Sequence, residues 1–128
     1  MFEIVFYENE RGESDVLNLI YDLKEKARTS KDAKINLNKI VAYIDSIEEY
    51  GTRVGQPVTK HLDGDIWELR PLSNRILYAY YEENIFVLLH HFVKQTQKTP
   101  TSEIKKAKME IEDYRRRHKN ENVERSQK

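Results

Sequence analysis

The chain has no cysteine, which removes disulfide bonds and thiolate metal sites together and fits a reducing compartment. Its four glycines are scattered at positions 12, 51, 55 and 64, so there is no glycine-rich loop to cradle a phosphate on backbone N–H groups. No window approaches the roughly 18 apolar residues of a membrane span. The N-terminal "MFEIVFYENERG" has neither the basic start nor the apolar core of a secretory signal. The four histidines, His61, His90, His91 and His118, show no metal-ligand spacing on a helix. These absences predict a soluble, cytoplasmic protein with no metal, no cofactor and no membrane partner.

What is present fits one domain of 128 residues, long enough to bury a core unaided. The net charge is zero, which argues against a generic nucleic-acid binder, yet the charge is unevenly spread. Residues 1 to 51 carry 7 Lys/Arg against 11 Asp/Glu, whereas residues 101 to 128 carry 9 against 6. From Lys94 through Lys119 nine basic residues meet four acids, enough for a local positive patch or, more plainly, a solvated helix face.

The apolar pattern changes period along the chain. "FEIVFY", Phe2 to Tyr7, alternates as a strand does. Val16, Leu17, Ile20, Leu23 and Ala27 recur at helical spacing behind Ser14 as N-cap, and Leu37, Ile40, Val41, Ile44 and Ile47 make a second stripe that stops at Gly51. The period then becomes two over Val58 to Leu62, Ile66 to Arg70, Arg75 to Tyr81 and Ile85 to Val93, with turn signals "DGD" and "EEN" between. A third helix is predicted from Pro100, with Thr99 as N-cap and Ile104, Ala107, Ile111 and Tyr114 as its stripe. Beyond Arg117 one residue in eleven is apolar, which predicts a disordered polar tail over 118–128. The order β-α-α-β-β-β-α implies an α+β domain over 1–117, a small antiparallel sheet with both N-terminal helices on one face and the other face partly open.

Two arginines break the apolar hairpin "DIWELRPLSNRILYAYY". Alternation puts Trp67 and Leu69 on one face and Ile66, Glu68 and Arg70 on the other. In a meander the end of one strand adjoins the start of its neighbour, so Arg75 is expected near the segment His90 to Lys94, with Arg70 across the hairpin. Such a cluster at one end of an open sheet suits a phosphodiester, although a charged sheet face is also what plain solvation produces. His90 and His91, being adjacent in a strand, face opposite ways, so one of them belongs to the core or supports the site from behind. Tyr78, Tyr80 and Tyr81 have two readings, stacking on bases and cross-strand packing.

"IWELRPLSNRILYAYY" followed by "FVLLHHFVKQTQKTPTSEIKKAKMEIEDY" resembles the HigB branch of the RelE toxin superfamily, the phage Gp49-like family, over nearly all of residues 2 to 114. The resemblance implies a toxin of a type II toxin-antitoxin system, an endoribonuclease (mRNA interferase) that cuts the codon in the ribosomal A site. The cut is made by attack of the nucleotide's own 2′-OH on the adjacent phosphate, without a metal. It also implies a HigA-like helix-turn-helix antitoxin as partner, with operator DNA reached only through that antitoxin. Carried over position by position, the catalytic set is Arg70, Arg75, His90 and Lys94, with Lys98, Tyr80 and Lys105 on the RNA. A second histidine at 91 departs from the family pattern, which more often has a small residue there. Two rivals share the fold: a gyrase-poisoning toxin and a phage-derived interaction module.

Overall fold

The computed structural model describes the backbone of residues 1–126 and the side chains of residues 1–119. Ser14 and Ser30 start the two N-terminal helices, each hydroxyl accepting a backbone N–H three residues on, at 3.2 Å from Leu17 N and from Ala33 N. Helix α1 spans Asp15–Lys26 and α2 spans Lys31–Tyr50. Gly51 ends α2 at φ 67°, and a Cβ there would stand 2.7 Å from the Phe2 ring, so both its backbone angle and its neighbour require glycine. A short 3₁₀ turn, Gly51–Val54, leads into the meander.

Strand β1 (Glu3–Phe6) forms one edge of a five-stranded sheet completed by β2 (Thr59–Asp63), β3 (Ile66–Leu69), β4 (Asn74–Tyr81) and β5 (Ile85–Val93), in the order β1-β5-β4-β3-β2. The meander is antiparallel throughout. Only β1 departs from the expected antiparallel pattern, pairing parallel with β5: the helical hairpin that follows it is a crossover long enough to return the chain in the same direction.

Both sheet faces are covered. Val16, Ile20, Ile40, Ile44 and Ile47 of the hairpin pack on Leu69, Ile76, Tyr78, Phe86 and Leu88. The face expected to stay open carries Ile66, Leu77, Ala79, Val87 and Leu89, and helix α3 (Thr101–Ser126) lays Ala107, Ile111 and Tyr114 across it. An apolar face of that size must be buried, and the alternating residues of β4 and β5 supply it. Thr99 does not cap α3 as expected, because its hydroxyl donates to Glu68 instead. The tail expected from His118 begins inside α3, where His118 stacks on Tyr114 at 3.8 Å. The last two positions of that tail lie outside the described residues. Among the described residues no helix is long and apolar enough to cross a membrane, and no group of three metal-binding side chains occurs.

Candidate active site

Glu68 is the centre of the polar cluster under the first turn of α3. It lies on the α3 face of β3, across from Leu77, and is 2% exposed. Its Oε1 pairs with Arg75 Nε at 2.9 Å and stands 3.8 Å from Arg70 Nε, while Oε2 takes the Thr99 hydroxyl. Arg75, the second residue of β4, is buried. Its Nη1 donates to the carbonyls of Leu72 and Asn74, both at 2.8 Å, so the guanidinium ties Glu68 to the β3–β4 turn. Burial, and then the charge on Arg70, lower the Arg75 proton affinity, against the pull of Glu68; the group still remains cationic. Arg70 is half-buried, and its Nε, shut off from water, has no hydrogen-bond partner among the described residues.

Two guanidiniums therefore share one carboxylate. Beside them opens a groove of about 530 Å³ lined by Lys60, His61, Leu62, Arg70, Gln97, Lys98, Thr99 and Ile104, with no acid among its walls. Lys60 is the register partner of Glu68, which places it on the same face. His61 pairs with Trp67, and its ring packs on the indole at 4.9 Å, on the opposite face. Lys94 leaves the end of β5 with its backbone N–H on Ser73 O at 2.7 Å, and its half-buried side chain has no ion pair among the described residues. Arg70 and Arg75 thus meet at Glu68, Lys98 lines the groove beside Arg70, and Lys94 is tied to the β3–β4 turn by its backbone.

The other predicted residues lie elsewhere. His90 is 1% exposed and sits beneath α3, with Nδ1 on Glu110 Oε1 and Nε2 standing 3.6 Å from Glu103 Oε1, so it cannot meet a substrate directly. A bulge between Leu77/Tyr78 and their β5 partners turns Leu89 and His90 to the same face. His91 faces the hairpin, where Asp15 Oδ2 accepts its backbone N–H at 2.8 Å and meets its Nδ1 at 2.6 Å. Tyr80 packs on Phe2 and Phe86 with its hydroxyl 3.1 Å from Thr52, on the hairpin face and away from the arginines. Lys105 is exposed on α3 and does not line the groove. Sequence reasoning missed Lys60, Glu103 and Glu110. The first was legible as an alternating strand position, whereas the two glutamates become partners of His90 only once α3 is docked.

Residues 22–112 match the family described as phage derived protein Gp49-like (DUF891). No curated protein matches the chain. Among solved structures, the YoeB-YefM complex from Staphylococcus aureus is similar at 16% identity and a TM-score of 0.46, over 73% of this chain and 98% of that one.

Proposed function

The chain belongs to the phage-derived Gp49-like family, and we propose that it is a RelE-type toxin of a toxin-antitoxin pair, a HigB-type endoribonuclease that cleaves mRNA on the ribosome. The observation that carries this reading is the surplus of positive charge: Arg70 and Arg75 share the single buried carboxylate of Glu68, beside a groove whose charged walls are all cationic. An anion completes such a site. In attack by a 2′-OH on the neighbouring phosphate, negative charge grows on the non-bridging oxygens and on the leaving 5′-O. Arg70, which lines the groove, meets the first with the open end of its guanidinium. Arg75 adds a second positive charge from beneath and fixes the turn. Lys94 stands at the rim to stabilise or protonate the leaving oxygen. His90 acts through α3, holding the helix start and hence Thr99 and Lys98 in place. Lys60 and Lys98 carry the flanking backbone, and Lys105 faces ribosomal RNA. A helix-turn-helix antitoxin and the cytoplasm complete the reading.

The test is a translation extract to which purified protein is added, with mRNA cleavage mapped by primer extension. The parent should cut within codons. Arg70→Ala and Lys94→Ala should each lose on the order of 10²-fold in rate, as removal of one transition-state donor does, with Lys94→Ala melting like the parent. Intact mRNA together with inhibited DNA gyrase would favour the gyrase-poisoning alternative, and inertness in both assays would leave an interaction module.

A further inference from the structure

Leu72, at the tip of the β3–β4 turn, has φ 59° and is 48% exposed. The left-handed region crowds a Cβ against the following carbonyl, and a leucine occupies it only when the surroundings dictate the conformation. Here they do. Asn74 N–H donates to Pro71 O at 3.1 Å, Arg75 Nη1 holds Leu72 O, and Lys94 N–H holds Ser73 O. The side chain belongs to neither core cluster. A glycine or asparagine would make the same turn with less strain, so the leucine side chain is not what the turn itself requires. Such strain is found where a contact outside the fold is made.

We infer that Leu72 packs against a base of the bound RNA strand and sets the register of the phosphate that Arg70 receives. This rests on the reading of the site as an RNA-cleaving one. The occupant follows from charge: Leu72 stands between Arg70 and Lys94 in the chain's own hydrogen-bonded turn, and the one carboxylate there, Glu68, is buried and engaged. A nucleotide offers both an anion for the cations and an apolar ring face for the leucine. Arg75, which holds the Leu72 carbonyl, is then a positioning residue for the base contact as well as a source of charge.

The experiment uses the full chain and two probes: mRNA on programmed ribosomes, and a short single-stranded RNA carrying 2-aminopurine. Leu72→Gly keeps the backbone angle and removes the contact; relief of the clash and the greater freedom of the unfolded chain oppose each other, so melting should stay near the parent. Its kcat should fall at least about tenfold with KM little changed, as loss of orientation does, and the change in 2-aminopurine emission seen with the parent should vanish. Leu72→Phe should retain both. If Leu72→Gly melts well below the parent, Leu72→Asn, which also tolerates this conformation, serves in its place. Parent-like cleavage or emission from the glycine variant overturns the inference. So does a variant that cleaves normally but escapes its antitoxin, which would assign the leucine to a protein partner. A parent that binds RNA through Leu72 without cleaving would sink the proposed nuclease and spare the contact, whereas a parent that does neither sinks both.

Discussion

Arg75 shows how burial changes the work open to a cation. From the sequence it is a cation at a strand start, ready for a phosphate. In the fold its side chain is 7% exposed and that of Glu68 is 3% exposed, 2.9 Å apart, with two turn carbonyls on Nη1. Removing Arg75 leaves the buried Glu68 carboxylate to Arg70 at 3.8 Å and the Thr99 hydroxyl, so Arg75→Ala should destabilise the protein by up to about 3 kcal/mol. Replacing both Arg75 and Glu68 by methionine should recover part of that loss, since apolar pairs of similar volume are often as stable as the ions they replace, while Arg70 then lacks its carboxylate. Urea unfolding of the two single variants and the double variant measures this coupling directly. An Arg75→Ala protein as stable as the parent would show that the pair is formed with no energetic consequence. Loss of activity in Arg75→Ala alone therefore cannot distinguish a missing charge from a loosened turn, which is why Arg70 and Lys94 are the cleaner probes.

At the level of elements, the helical hairpin and the four meander strands were legible because their apolar periods are unmixed: 3.6 from Val16 to Ile47, two from Thr59 to Val93. The covered second face was not, because Glu68 and Arg70 on that face read as solvent-facing, and only the docked α3 reveals that Ile66, Leu77 and Val87 outweigh them. Nor could alternation alone foresee the bulge that places His90 under α3. α3 is held at its middle by Tyr7, whose hydroxyl donates to Asp113 Oδ2 at 2.8 Å, while Arg116 and Arg117 reach the same carboxylate at 2.9 and 2.7 Å. The hydrogen bond from Tyr7 leads the effects that hold the Asp113 carboxyl below its ordinary value, and burial together with Asp113 pushes the Tyr7 hydroxyl up to about 12. A carboxyl with a depressed folded pKa stabilises the fold above its unfolded value, and that contribution disappears as pH falls through the folded one. Asp113→Asn should accordingly melt below the parent at neutral pH, with the two curves converging toward roughly pH 3 and below. Melting measured from pH 7 downward checks it; a constant gap across that range would mean the loss is one of packing.

Across the whole molecule the sheet turns a charge imbalance in the chain into a polarity in space. The hairpin lies on one face and α3 on the other. Residues 15 to 50, the hairpin, with 6 basic against 7 acidic side chains, therefore occupy the side opposite residues 101 to 119, with 7 against 4. A neutral protein so divided presents RNA with one attractive side, the side on which the arginine groove opens. Two kinds of lysine share that side: Lys60 and Lys98 line the groove, and Lys105 stands exposed on α3 outside it. Release of condensed cations gives each single-strand phosphate contact a slope of about 0.7 in log K against log salt. For a short single-stranded RNA, Lys60→Ala and Lys98→Ala should each reduce the slope by about that amount, and Lys105→Ala should leave it unchanged, since a short strand fills only the groove. For whole ribosomes, whose RNA surrounds the bound protein, Lys105→Ala should lower the slope as well. Equal effects of all three lysines on both ligands would mean that the groove has no privileged path, and that the basic side binds RNA only as a diffuse field.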